Sequence, residues 1–322
     1  MDIFYPIQVF ADWITYSVFS IPKGSLLANA VNFFILDVIK IFILLSVIIF
    51  IVSFIRTYLP PEKVRNILSR QNEYVGNVLA SFLGVITPFC SCSAVPLFLG
   101  FVEVGVPLGV TFSFLVASPM INEVALVLLF GMFGWQIALI YMISGVIIAI
   151  FAGILIGKLK VENLVEEFVT KNKAKTELEL KEMKFKDRID YSKSYTFDIC
   201  KRVWIYVIIG IGIGAWIHGY VPMDFLTQYA GADKWYGVPL ATLIGIPLYS
   251  NAAGIIPLVS ALTEKGVSMG TTLAFMMAVT GLSLPEFMIL KKVMKVKLII
   301  IFAVIVGIGI IFTGYLFNLI LG

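Results

Sequence analysis

Polar residues are sparse in this chain and gather between long apolar runs. The runs are Val31–Ile55, Tyr74–Phe101, Val106–Phe130 and Gln136–Ile156. A charged stretch from Lys158 to Lys193 follows, and then Phe197–Ile217, Tyr236–Leu262, Val267–Leu290 and Leu298–Leu321. Each run is near the roughly 20 residues that a helix needs to cross the hydrocarbon core. The pattern predicts an all-α polytopic membrane protein, with four segments on each side of a hydrophilic linker. Residues 3–21 contain Pro6 and Asp12 and read as an N-terminal interfacial or peripheral segment. The expected divisions are residues 1–30 for that segment, membrane repeat 1 at 31–157, a charged linker at 158–196 and membrane repeat 2 at 197–322.

The two halves repeat each other at an offset of 161, half of the 322 residues. Asp37 and Lys40 recur as Asp198 and Lys201, and Gly76, Ala80 and Gly84 recur as Gly237, Ala241 and Gly245. Pro96 recurs as Pro257. Glu103, Gly105, Val106, Gly109 and Thr111 recur as Glu264, Gly266, Val267, Gly270 and Thr272. Phe114, Ala117 and Gly153 recur as Phe275, Ala278 and Gly314. Glycine, proline and acidic residues in register without a gap point to an internal duplication.

Basic residues orient the halves. The loop after the first run carries Arg56, Lys63, Arg65 and Arg70, the linker is lysine-rich, and Lys291, Lys292, Lys295 and Lys297 separate the last two runs. The positive-inside rule sends all of these loops to the cytoplasm. Three apolar runs lie between Arg70 and Lys158, so one of them must turn back. Tyr74–Phe101, with Pro88 and Pro96, is the expected re-entrant hairpin. Each half then has three crossings and one hairpin, an odd number of crossings, which makes the repeats inverted. Secondary transporters are commonly built this way, with the site between interrupted segments.

Composition agrees and narrows the partners. The chain is 60% hydrophobic and 14% charged, against about 45–50% and 25% in soluble domains. Its net charge of +4 sits in loops, so the partners are the lipid bilayer and a small-molecule or metalloid substrate, with no nucleic acid. The protein is expected in the cytoplasmic membrane with its linker inside, no cofactor is expected, and nothing in the chain sets an oligomeric state. Cys90, Cys92 and Cys200 give no paired disulfide framework.

The stretch Pro88-Phe89-Cys90-Ser91-Cys92-Ser93-Ala94-Val95-Pro96 carries the candidate chemistry. In an extended tip, residues two apart face the same side, so Cys90 and Cys92 could grip one soft ion or metalloid. The bland reading is that both cysteines are buried filler. The copy in the second half is Tyr249-Ser250-Asn251 before Pro257, which would complete an asymmetric site with amide and hydroxyl groups. Further breaks are expected at Pro119, Pro247 and Pro285. Asn122 and Glu123 follow Pro119, and Glu286 follows Pro285, so each break places a carboxylate deep in an apolar run. These are candidates for carrying a proton, and a first-turn helix carboxylate is the structural alternative. Asp37 with Lys40 and Asp198 with Lys201 read as local ion pairs.

Thr87-Pro88-Phe89-Cys90-Ser91-Cys92-Ser93-Ala94-Val95-Pro96, with Ser118-Pro119-Met120-Ile121-Asn122-Glu123, resembles a predicted-permease family. That family includes the ArsP-type exporters of trivalent organoarsenicals and the YraQ-like permeases. Gly245-Ile246-Pro247-Leu248-Tyr249-Ser250-Asn251-Ala252-Ala253-Gly254 resembles its second signature. The resemblance spans nearly the whole chain and implies export of a thiol-reactive small molecule. Two other classes stay open. One is a transporter of a small sulfur compound or anion, and the other is a membrane thiol oxidoreductase using Cys90 and Cys92 as a redox couple. Against the latter, a Cys-x-Cys disulfide is strained.

Overall fold

The computed structural model describes residues 5–58, 72–87, 91–166, 184–220, 234–248, 255, 259, 262–263, 266–291 and 293–321. A short helix α1 (Tyr5–Trp13) runs through a π turn into the long α2 (Leu26–Tyr58). The remainder of the first half is α3 (Glu73–Ile86), α4 (Ser91–Val104), α5 (Leu108–Met120), α6 (Glu123–Phe133) and α7 (Trp135–Lys158). The second half holds α8 (Phe185–Tyr220), α9 (Gly237–Gly245), α10 (Met269–Gly281), α11 (Leu284–Leu290) and α12 (Val296–Leu321). Among the described residues, four helices are long and apolar enough to cross a membrane. A fifth span follows if α5 and α6, which meet at a 47° bend, count as one.

Burial sorts these helices into an inner and an outer set. Every residue of α5 is buried, as is α10 from Gly270 to Gly281. The outer helices α7 and α12 expose apolar rows instead: Leu139, Ile143, Ile147 and Phe151 on one, Ile300, Val304, Ile308 and Phe312 on the other. Residues four apart share a helix face. An apolar face turned outward is what lipid requires and water would penalise.

The offset of 161 holds in the packing. It carries the start of α5 to that of α10, the start of α6 to that of α11, and the start of α7 to that of α12. Helix α4 ends in a Schellman turn, and the residues 161 further on make the same pair of bonds. Gly105 N–H donates to Val102 and Val106 N–H to Phe101, while Gly266 N–H donates to Thr263 and Val267 N–H to Leu262, all at 3.0 Å. Gly105 has φ 86° and Gly266 has φ 84°, a region that L side chains enter at a cost. Gly105→Ala and Gly266→Ala should each lower stability by about 1 kcal/mol, read as the thermal unfolding midpoint of detergent-purified protein.

Corresponding helices pack against each other across the middle of the molecule. Helices α2 and α8 run antiparallel: the Arg188 guanidinium donates to the Thr57 carbonyl, Ser46 Oγ lies 3.6 Å from Cys200 Sγ, and Gly212 faces Phe34. Helices α7 and α12 are antiparallel too. A methyl at Gly309 would lie 3.2 Å from Ile148 Cγ2, and these two residues are 161 apart. Beyond the end of α7, Val165 pairs with Met294 in an antiparallel bridge. Glu166 N–H donates to Val293 at 2.9 Å, and Lys295 N–H donates to Leu164 at 2.8 Å. The start of the linker is therefore laced to the lysine loop, and its far end is laced to the end of α2.

Several elements depart from, or add to, what the apolar runs and prolines alone predict. Helix α2 is longer than Val31–Ile55, because helical hydrogen bonds are local and persist past the apolar limit. Helix α8 begins at Phe185, inside the stretch read as linker, for the same reason. Pro96 does not break the chain: it lies inside α4, and Pro119 lies inside the last turn of α5. The N-terminal segment folds as a helix held by polar contacts. Asn32 Nδ2 donates to Asp12 Oδ1 at 2.7 Å, and Gln8 Nε2 donates to the same oxygen at 2.9 Å.

Candidate functional site

Small residues let the ends of α3 and α9 converge with the breaks that follow α5 and α10. A methyl at Gly84 in α3 would stand 2.8 Å from Ala117 Cβ and 3.0 Å from Ser118 N, so α3 lies backbone-close to the end of α5. A methyl at Gly245 would stand 2.9 Å from Ala278 Cβ, the same contact in the second half. One residue on, the Ile246 carbonyl accepts the Leu284 N–H at 3.1 Å, fastening the turn after α9 to the start of α11. The two breaks then meet each other. A methyl at Gly281 would stand 3.0 Å from Met120 Cε, and these positions are again 161 apart.

The centre is polar within an apolar shell. Tyr141 on α7 is fully buried and donates its hydroxyl to the Met120 carbonyl at 2.9 Å, at the end of α5. Thr280 Oγ1, near the end of α10, donates to the Met276 carbonyl at 2.9 Å. Ser283 sits at the N-cap of α11, 1% exposed, and makes no side-chain capping bond. Glu286 lies in the first turn of α11 and is 0% exposed. An acidic group at the centre of a membrane helix costs about 3 kcal/mol, so such residues face a polar interior or an aqueous path. Phe287, beside it, packs edge-on against Phe302 of α12 at 6.3 Å.

The predicted site residues divide as follows. Pro88, Cys90, Tyr249, Ser250, Asn251 and Pro257 lie outside the described residues. Ser91, Cys92 and Ser93 form the first turn of α4, so the extended conformation expected of the Cys-x-Cys stretch does not hold at Ser91 and Cys92. Pro96 has no N–H, and this leaves the Cys92 carbonyl without its usual donor one turn on. Asn122 occupies the break between α5 and α6 and accepts the Ala125 N–H at 3.2 Å, so its amide caps α6. Glu123 is the first residue of α6, whereas Glu286 is the third of α11. The two residues therefore occupy different positions within the first turn of their helices, as their spacing of 163 already implied. Pro247 lies in the turn after α9 and Pro285 in the first turn of α11, where proline is tolerated. Among the described residues, no cluster of three or more His, Cys, Asp or Glu side chains could hold a metal ion.

Sequence reasoning missed Tyr141, Thr280 and Ser283. Ser283 was accessible, because the offset of 161 places it opposite Asn122. Tyr141 was not, since the same offset sets it opposite Phe302 and makes it look like one more aromatic core residue.

Fold and centre together define a polytopic membrane protein of the permease class, with broken segments meeting in its interior. The chain belongs to the ArsP_1 family of predicted permeases, which it matches over residues 26–319. It is 30% identical over 268 residues to a Streptococcus mutans protein described as a two-component membrane permease complex subunit, covering 81% of this chain and 85% of that one. It is also 23% identical to the UPF0718 protein MJ0584 of Methanocaldococcus jannaschii, over 74% of this chain and 82% of the relative. The UPF0718 protein YraQ of Escherichia coli is 21% identical over 76% of this chain and 68% of its own length. No solved structure matches.

Proposed function

We propose that the protein is a secondary transporter that exports a small thiophilic substrate such as a trivalent organoarsenical, with proton coupling. The observation that carries the proton-coupled part of this reading is the fully buried Glu286 beside the meeting point of the two breaks, and the thiophilic substrate rests on the Cys-x-Cys pair in the sequence. Cys90 and Cys92 supply soft thiolate ligands from the first hairpin. Tyr249, Ser250 and Asn251 complete the pocket from the second, and Glu286 or Glu123 carries the proton. The two halves are inverted repeats. In support, the paired helices α2 and α8 run antiparallel, and α7 and α12 touch at Ile148 and Gly309, which are 161 apart. The cytoplasmic face holds the linker and the lysine loop, which the bridge between Val165 and Met294 keeps together. By likeness to the Streptococcus relative, a second protein is a candidate partner.

The test is resistance in an arsenic-sensitive host. Expression of the wild-type chain should raise tolerance to trivalent organoarsenicals, and a protonophore should remove that gain. Unchanged tolerance in a host with verified membrane expression contradicts the arsenical reading.

A further inference from the structure

The two halves differ where their packing otherwise agrees. Asn318, near the end of α12, accepts the backbone N–H of Gly270 on its Oδ1 at 2.8 Å. Gly270 is the second residue of α10, so this bond satisfies an otherwise orphaned helix donor and pegs α10 to α12. The offset of 161 carries Asn318 to Gly157 and Gly270 to Gly109. Gly157 has no side chain, and the Gly109 N–H has no side-chain acceptor among the described residues. A cavity of about 90 Å³ stands in place of the peg, lined by Glu73, Asn77, Gly109, Gly153, Gly157 and Lys158 among others. It has room for a few waters, and its walls are polar enough to hold them.

Crowding does not require glycine at position 157. A methyl there would lie 3.5 Å from Gly109 Cα, an ordinary contact, whereas one at Gly109 would stand 2.5 Å from the Gly153 carbonyl oxygen. Ser113 Oγ meanwhile donates to Asn77 Oδ1 at 2.7 Å and ties α3 to α5. The first half thus has a bonded pair, α3 with α5, lying against α7 over a glycine-lined seam that is close-packed where Gly109 meets Gly153 and hollow beside Gly157, at its linker end. The second half has its corresponding seam fastened.

We propose that the unpegged seam between α5 and α7 is the mobile joint of the carrier. The unit of α3 and α5 slides on α7 to open and close the linker end of the first half, while α10 stays fixed to α12. Sliding of packed helices over small steps is an established mode of domain movement, and a hollow beside the seam leaves fewer packed contacts to rearrange than a close-packed core would. This inference rests on the transporter reading above, and its test separates the two.

Gly157→Asn in the full chain should restore the peg, and Asn318→Gly should remove the other one. The readouts are amide hydrogen exchange of the first turns of α5 and α10 in detergent-purified protein, and arsenical flux in proteoliposomes. In the wild type, residues 108–112 should exchange faster than residues 269–273. Gly157→Asn should slow exchange at 108–112 about fivefold and lower flux by about the same factor, the size expected for one added hydrogen bond that each cycle must break. Gly157→Ala adds a methyl without the amide and should leave flux within about twofold. Asn318→Gly should speed exchange at 269–273. Equal exchange of the two turns in the wild type overturns the proposal, as does slowed exchange in Gly157→Asn with undiminished flux. If wild-type liposomes carry no arsenical, the transport reading fails, and the exchange comparison alone decides whether the joint exists.

Discussion

Replacing Gly153 with leucine should leave almost no folded protein in the membrane. Gly153 on α7 is the point where α3, α5 and α7 come closest. A methyl there would collide with Ser113 Oγ, and it would stand 2.5 Å from both Asn77 Oδ1 and the Gly109 carbonyl oxygen. Two of those atoms belong to a hydrogen-bonded pair, and the third is helix backbone, so none is the free end of a flexible side chain. Ordinary overpacking costs about 1–3 kcal/mol. Here the helices must separate, which breaks the bond between Ser113 and Asn77 and opens the seams on both sides of α5. Membrane helices associate through such close backbone approach, without a hydrophobic force to compensate its loss. Size-exclusion chromatography of a fluorescent fusion reads the outcome directly: a monodisperse peak should vanish for Gly153→Leu. Gly131 on α6 has nothing within 4 Å of its would-be methyl. Gly131→Ala should therefore behave as wild type, and a comparable loss there would show that the assay reads glycine content rather than packing.

Glu286→Gln should abolish proton-driven transport while leaving the protein folded. The amide keeps the shape of the carboxyl group and removes its ability to take up and release a proton. If the carboxylate only complements the N-terminal end of α11, the substitution costs about 0.3–1 kcal/mol of stability and spares the flux. If it carries the coupling proton, flux driven by a pH gradient should fall by at least about tenfold, the typical loss for a missing proton-transfer group being larger still. Counterflow exchange of substrate, which needs no net proton movement, should persist. Paired measurements of flux and thermal midpoint separate the roles: a lowered midpoint with intact flux assigns Glu286 to the helix end.

Much of this architecture was legible in the sequence, because a bilayer imposes strong rules on it. Run length set the helices, and the register of Gly84, Gly109 and Gly153 with Gly245, Gly270 and Gly314 announced contacts that the fold contains. Such glycines recur because backbone passes backbone there, and no other residue fits. Gly105 and Gly266 recur in the same register, and the structure shows that each takes the positive φ of a Schellman turn. Proline misled. Pro96 was read as a break and lies within α4, since a helix can pass a proline at the cost of one backbone hydrogen bond, here that of the Cys92 carbonyl. Helix limits misled too, because hydropathy reports the membrane boundary whereas α2 and α8 continue past it. The central hydroxyls of Tyr141, Thr280 and Ser283 were the least legible. The Tyr141 bond to Met120 depends on tertiary approach, burial of Thr280 and Ser283 follows from the meeting of the two breaks, and Tyr141 lies opposite a phenylalanine in the other half.

The proposal stands or falls on the sulfur pair. Flux of a trivalent organoarsenical into or out of proteoliposomes, compared between wild type and Cys90→Ser/Cys92→Ser at equal reconstitution, is the most direct measurement. Serine keeps the size and polarity of the site but is a hard ligand, so substrate-saturable flux should fall to the level of empty liposomes. Flux of the double variant equal to wild type would contradict a thiolate-ligated substrate.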